Sequence, residues 1–489
     1  MRCLRVRSLS GPKGSWVAAG ALLALAGVSG CGNQYRPVVT PIAPTGPAPQ
    51  PASYVVAFSQ PGLVLPPPGA SNPCPTTPYG QPGVVTLVDF SGDSVLALAT
   101  LGTGPLTFAL DPTGSTAYSE NCDGTVSTVP LSTTLQSKNV LTTTLPQNTG
   151  GVNTLPTNLL VTASGEFVVE QNRTAVGALT GTPASLKQEI PVAPSLINVI
   201  GSANGQYIYS ISQGNSTDGN GVTWGQCDPN SGTTVTTNGE ADGIEVSTTT
   251  VNNRLPVGVC PVYGLMTGDG RRAFILNRGS GTVTVIDSSK NQLDTDSQSQ
   301  YMTNATINVG KGPVFADLYA PAALLVTANY DDDSISIINV SINGPVQGYT
   351  DTPNFGQVLA TVKLKPGSHP AAVSVLQDGS RVYVADEGDG TVTIVNLLSF
   401  TVESVLPVNG HPRSIVSTYN APIGKVYTVA QDSPYLTVIR TDTDIVTSSI
   451  LLQGNGVDVH TTTQYAGSSS ASTTANGNTQ SRSAGSGVP

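Results

Sequence analysis

The chain has 489 residues, of which 11% are charged and 5% aromatic, with 53 glycines and 37 prolines. So little Glu, Lys and Arg excludes a coiled coil or helical bundle, and 38% hydrophobic residues falling in short clusters exclude disorder throughout. With 21 basic and 31 acidic residues the net charge is −10, which argues against nucleic acid as a partner, and the abundance of Thr, Ser and Val is that of an all-β extracytoplasmic protein.

In chain order the first element is a leader. Arg2, Arg5, Arg7 and Lys13 precede an apolar run from Trp16 to Ala26 that is too short for a permanent membrane span. The end of this leader, Val28-Ser29-Gly30-Cys31, resembles a bacterial lipobox, which implies a signal peptide over residues 1–30 and lipidation of Cys31. Gly32 rather than Asp follows, so the resemblance implies the outer membrane of a bacterial cell envelope, with the lipid as the membrane contact. Without the leader, 17 basic and 31 acidic residues leave a net charge of −14. Residues 31–53 then form a Pro-rich tether of extended character.

From residue 54 short alternating runs begin. ASYVVAFS, GVVTLVDF and SVLALATL read as the second, third and fourth strands (b, c, d) of a sheet whose first strand is missing. Repeats of the same kind start near Gly104, Thr154 and Ala193, and continue as GRRAFILNRGSGTVTVID (270–287) and LLVTANYDDDSISIIN (324–339). The clearest copy, His369–Gly410, is 42 residues long and holds the runs AAVSVL, RVYVAD, TVTIVN and TVESVLPV, parted by Asp378-Gly379 and Asp389-Gly390. A further copy opens with HPRSIVSTYN at His411, and GNGVDVHTTT (454–463) reads as a spare first strand. A missing strand at one end and a spare at the other close a ring without exposed edges. The expected fold is therefore an all-β β-propeller over residues 54–463, with N- and C-terminal strands sharing a blade. The count is eight blades, with seven as the alternative. Residues 464–489, almost entirely Ser, Thr, Gly, Asn, Ala and Gln, read as a disordered tail.

Tyr383-Val384-Ala385-Asp386, Phe274-Ile275-Leu276-Asn277 and Val326-Thr327-Ala328-Asn329, each followed by a polar turn and a T-V-x-V-like strand, resemble the YVTN-type propeller repeat. That resemblance covers residues 54–463 and implies kinship with a superfamily that includes lactonases and haem d1 or quinoprotein domains. It speaks for fold and little for function, because propellers host unrelated chemistries.

In a four-stranded meander running outward from a to d, the b–c loops and d–a connections share one face. Two long insertions, 60–83 and 212–242, emerge there. So do Cys74, Cys122, Cys227 and Cys260, the four left once Cys3 departs and Cys31 is acylated. Four cysteines allow three pairings; their placement predicts Cys74 with Cys122 and Cys227 with Cys260. The same face collects His369, His411, Arg278, Asn121, Asn172, Asn277, Asn329 and Asp386, which form either a ligand-binding mouth or a set of turn caps. Trp224 is either a binding anchor or the core of its own loop. Asp331, Asp332 and Asp333 are candidates for Ca²⁺ or simply a solvated turn; no other cofactor is expected. Motifs for nucleotide, zinc-protease, haem or serine-hydrolase chemistry are missing. The expected function is a lipid-anchored binding or scaffold module whose b–c face meets a protein or glycan of the envelope. The alternative is a lactonase-like hydrolase in the channel mouth, where Arg173, Arg278 and Glu387 stand.

Overall fold

The computed structural model describes residues 54–66, 72–89, 91–147, 151–215, 221–222, 227, 235, 237–376, 378–418 and 424–462. The leader, Cys31, the tether, the tail and Trp224 lie outside the described residues.

Eight antiparallel sheets form an eight-bladed β-propeller. Seven blades are contiguous in sequence and open with strand a at Pro105, Pro156, Leu196, Pro261, Pro313, Pro370 and Pro412 (blades 2 to 8). Blade 1 is composite: its strands b, c and d are Tyr54–Gln60, Val84–Asp89 and Ser94–Thr100, and its strand a is Asn455–Thr461, paired with Tyr54–Gln60. Each innermost strand touches those of both neighbouring blades, so the ring is closed.

The burial of each strand follows from its place in the meander. Strands b and c lie between two neighbouring blades, so both their faces must be apolar or internally bonded. In blade 5 Arg272–Asn277 and Thr282–Asp287 are buried throughout. Strand d meets solvent on one side and alternates, as in Thr401–Pro407 of blade 7. Strand a starts with Pro in six blades, and the ladder slips by one residue just after it, for example between Pro370 and Ala372. A proline cannot donate to the ladder, so a bulge beside it is the natural accommodation. Just before it, Gly104, Gly312 and His369 are all left-handed, with φ of 70°, 65° and 46°. Glycine takes that conformation at no cost, whereas His369 takes it only because its surroundings hold it there.

The largest continuous apolar core runs through blades 5, 6 and 7, from Val262 and Phe274 through Leu325 and Ile337 to Val384 and Ile394. Blades 1 to 4 have separate smaller clusters between them.

Candidate functional site

The two long b–c insertions occupy residues 61–83 of blade 1 and 213–237 of blade 4. Each is tied to the body by a disulfide. Cys74 joins Cys122 on the b–c turn of blade 2, with Cα atoms 5.5 Å apart, and Cys227 joins Cys260 on the connection into blade 5, at 5.8 Å. These are the pairings expected from topology. They accord with an oxidising, extracytoplasmic compartment. Among the described residues no helix is long and apolar enough to cross a membrane.

The Asn and Asp residues that end successive b strands form a clamp. Asn121 donates to the hydroxyls of Thr125 and Ser127, both at 3.0 Å. Asn277 donates to Thr282 and Thr284 at 3.1 and 2.9 Å and accepts the Gly258 N–H at 3.0 Å. Asn329 donates to Ser334 and Ser336 at 3.1 and 3.0 Å. Asp386 accepts from Thr391 and Thr393 at 3.3 and 2.5 Å. All four are fully buried. Their polar atoms hold the b–c turn together instead of facing the mouth. Burial pushes the Asp386 carboxyl up to about 7, with the two hydroxyls pulling the other way. Asn172 acts likewise at the surface, accepting the Leu155 N–H and donating to the Asn153 carbonyl at 3.0 and 2.8 Å.

Next to these clamps the other expected residues interlock neighbouring blades. Arg278 of blade 5 makes a two-pronged contact with Asp331 of blade 6, at 3.1 and 2.8 Å, beneath the Tyr330 ring. Tyr330 stacks on His369 of blade 7 at 4.8 Å between centroids, and His369 Nδ1 lies 3.1 Å from the Tyr330 carbonyl. Asp332 pairs with Lys363 at 2.6 Å, while Asp333 accepts the backbone N–H groups of Gly367 and His369 at 2.8 and 2.9 Å. The three consecutive carboxylates thus address three different partners. His411 Nδ1 sits 2.5 Å from Asp432, and its N–H donates to the same carboxylate at 2.8 Å.

One position of each innermost strand is buried all round the ring. The second residue after the leading Pro or its equivalent is Asp458, Thr107, Asn158, Asn198, Tyr263, Phe315, Ala372 and Ser414 in blades 1 to 8, and all are buried. Asp458 accepts from Ser414 at 2.6 Å and from Thr107 at 2.8 Å, and His460 Nε2 lies 3.1 Å away. Tyr263 and Phe315 pack at 4.7 Å. This ring of residues is polar across blades 8 and 1 to 4 and aromatic or apolar across blades 5 to 7.

The position before it is less uniform. The first residue after the leading Pro or its equivalent is Val457, Leu106, Thr157, Ile197, Val262, Val314 and Ala371 in blades 1 to 7, and Arg413 in blade 8. Val457, Leu106 and Arg413 line a cleft of about 410 Å³, measured out to open solvent, on the mouth of blades 8, 1 and 2. The insertion of blade 1 supplies its wall through Leu63, Val64, Leu65, Pro66, Pro73 and Tyr79, and Cys122 and Gln431 border it. Arg413 donates to Gln431 at 2.9 Å and lies 3.9 Å from Glu387. Burial pushes the Glu387 carboxyl above its usual range, and Arg413 opposes that rise. Cys122 and its disulfide are the part of this cleft reached by sequence reasoning. Arg413, Gln431 and Tyr79 were missed, although aligning the eight a strands singles out Arg413 as the one charge at its position.

On the opposite face Arg272 of blade 5 draws Asp287, Asp294 and Asp351 to within 3.2, 3.1 and 2.9 Å. Asp287, Asp294 and Asp296 form an acidic cluster there, with Lys290 at 3.1 Å from Asp287 and 2.6 Å from Asp296. Burial, helped by the neighbouring carboxylates, pushes Asp294 up to about 8. Arg272 and Lys290 already serve as the cations of this cluster, which fastens the c–d insertions of blades 5 and 6.

No family model and no curated protein matches the chain. Among solved structures it is similar to apo AztD from Citrobacter koseri, with 13% identity over 84% of this chain and 98% of that one and a TM-score of 0.50. It is also similar to dihydro-heme d1 dehydrogenase NirN in complex with DHE, with 14% identity over 85% of this chain and 76% of that one and a TM-score of 0.51. Both likenesses extend to the β-propeller fold and, at such identities, no further.

Proposed function

We propose that the protein is a lipid-anchored propeller of the YVTN-repeat kind that works by binding, in the cell envelope, through its b–c face. The observation that carries this reading is the cleft at the mouth of blades 8, 1 and 2, walled by an insertion that Cys74–Cys122 holds in place. A concave site that sets apolar side chains beside a few polar groups is the usual form of a small-ligand pocket. Its floor is rigid, because Leu106 and Val457 belong to strands a of closed blades. The regular blades 5 to 7 supply the frame, and the cleft is the part free to recognise.

A fragment screen by ligand-observed NMR tests the reading. Hits are expected with wild-type protein and lost with Leu106→Trp, which fills the cleft; hits that survive this substitution place binding elsewhere. The anchor has its own test. Cys31→Ser is expected to move the protein from the membrane to the soluble fraction, and unchanged fractionation refutes it.

One observation favours the hydrolase as a second reading. Glu387, with its raised carboxyl, stands beside Arg413, and the charges of His411 and His369 also act on it. A panel of lactones decides: turnover lost in Glu387→Gln supports catalysis at the mouth, and an inactive wild type rejects it.

A further inference from the structure

The face opposite the cleft carries the a–b and c–d turns, and the chain enters the propeller there. Tyr54 pairs with Asp89 and Asp89 with Ser94, so Tyr54 shares a row with the start of strand d of blade 1, two strand spacings or roughly 10 Å away. On the four consecutive blades 6, 7, 8 and 1 this face presents large apolar side chains to solvent. Val346, in the c–d insertion of blade 6 (340–357), is 91% exposed, and Leu398, in the c–d turn of blade 7 (397–400), is 82% exposed. These are the two highest values among the large hydrophobic residues described. Ile445, which opens strand d of blade 8 (Ile445–Leu451), and Val95 of blade 1 continue the series at 52% and 42%. By contrast, the c–d turns of blades 2, 3 and 4 expose no large hydrophobic residue among those described.

A hydrophobic residue exposed singly needs no explanation, whereas a series of apolar turn tips on one face does. The charges of these turns are met within the protein. Asp93 takes Lys425 at 2.8 Å, Asp442 takes Arg440 at 2.5 Å, and Asp444 pairs with Arg381. Asp93 also accepts the Tyr427 hydroxyl at 2.8 Å, which fastens blade 1 to blade 8 at this end. The blade 6 insertion holds one charged residue, the buried Asp351, and the blade 7 turn holds none. A chain at −14 without its leader thus turns uncharged apolar tips to solvent on the face where residues 31–53 join it.

Resting on the lipid-anchor reading above, we infer that this face lies on the bilayer, with Val346, Leu398, Ile445 and Val95 reaching the boundary between head groups and acyl chains. The bilayer is the partner because Cys31 stands only 23 residues ahead of Tyr54, so its lipid keeps this end of blade 1 at high effective concentration next to the membrane. Side chains at turn tips can enter that boundary while the backbone behind them stays hydrated. An uncharged face is also the one that an acidic protein can lay on lipid without repulsion. Docked in this way, the b–c face and its cleft point away from the lipid into the aqueous compartment.

Fluorescence of the full-length, lipidated protein in phosphatidylcholine vesicles tests the inference, with an environment-sensitive dye on one added cysteine at a time. A dye on Leu398→Cys or Val346→Cys is expected to shift to shorter wavelength and to lose about half its emission to bromine-labelled acyl chains. The same dye on Leu451→Cys, at the other end of strand d of blade 8, should do neither. Val346→Ser together with Leu398→Ser should cut the quenching of a dye on Ile445→Cys by about half, because the tips hold the face down jointly. Circular dichroism melts establish that each variant is folded, and Leu398→Ser alone serves if the pair is not. If the protein floats with the vesicles and the dyes at residues 346 and 398 neither shift nor quench, the anchor stands and the docking inference falls. If those dyes shift without lipid, in step with protein concentration, a second copy covers the face and the inference falls as well. If the wild-type protein does not float with the vesicles, the anchor reading and the inference fall together.

Discussion

In blades 2, 5, 6 and 7 strand b ends in Asn or Asp, strand c opens with two hydroxyls, and a short turn lies between them. Blades 1 and 4 have long loops in the same place, where the last residues of strand b paired with strand c are Ser59 and Ser212, opposite Val84 and Glu240. One side chain can span a turn of three or four residues and satisfy both strands. No side chain can organise a loop of more than twenty, and there a disulfide takes over. The difference teaches that the ring uses two kinds of local fastening: hydrogen-bonded clamps where the b–c turns are short, and covalent ties where the b–c face carries long insertions. Blades 3 and 4 add a further departure, because acids sit where the clamp would be. Burial pushes Glu170 up to about 8, with Glu189 raising it further, and Asp242 up to about 7. Arg173, 3.3 Å from Glu170, and Arg254, 3.8 Å from Asp242, only partly offset that cost.

The sharpest way to break this comparison is to remove a tie and a clamp separately. Cys227→Ser with Cys260→Ser opens a loop of 33 residues and is expected to cost roughly 3–4 kcal/mol in urea unfolding; a loss below 1 kcal/mol means that the loop is held otherwise. Asn277→Ala leaves Thr282, Thr284 and the Gly258 N–H without the amide, all in a buried setting, and should cost about 2–3 kcal/mol by the same measurement.

Asp386→Asn puts into blade 7 the residue that blades 2, 5 and 6 already use, and its effect depends on pH. The folded carboxyl titrates at about 7 against an ordinary value of 3.8, so the folded state holds a proton that the unfolded state releases. Wild-type stability from this group is thus fully present below pH 4 and is lost as pH rises toward 7. Relative to wild type, the Asn variant should gain about 1–3 kcal/mol at pH 8 and little at pH 4. A gain independent of pH would show that Asp386 is not the titrating group. Smallest is Ser212→Ala in blade 4, which removes a single bond to the Ala193 carbonyl at 2.9 Å and should cost about 0.5–1.5 kcal/mol. A loss equal to that of Asn277→Ala would erase the distinction between clamped and tied blades.

Much of the architecture was readable along the chain. Alternation at period two with Asp-Gly turns located the strands, and the spare strand at Asn455–Thr461 indicated closure; of the two counts left open, seven and eight, the structure has eight. The disulfide pairing was readable as well, because meander topology brings only certain loops to one face. For Asn121, Asn329 and Asp386 the sequence offered two roles, turn caps or a ligand-binding mouth, and their hydrogen bonds are those of turn caps. Sequence leaves open whether a polar residue at a strand end faces solvent or its own sheet; here the alternating hydroxyls of strand c take up its polar atoms. His369 and Arg278 were placed on the right face, but their stacking and pairing depend on the distance between blades, which no local pattern encodes.

By itself the sequence determined the repeat, the closure of the ring and the pairing of the two covalent ties, since these follow from periodicity, turn chemistry and the order of strands, while the choice of eight blades over seven came from the structure. The cleft at the mouth of blades 8, 1 and 2 was decided only in three dimensions. It joins Leu63 and Tyr79 of the first insertion to Arg413 and Val457 near the other end of the chain. Ring closure alone makes blades 8, 1 and 2 neighbours. The same closure turns Arg413 from one charge in a list of strands into the polar end of an apolar site.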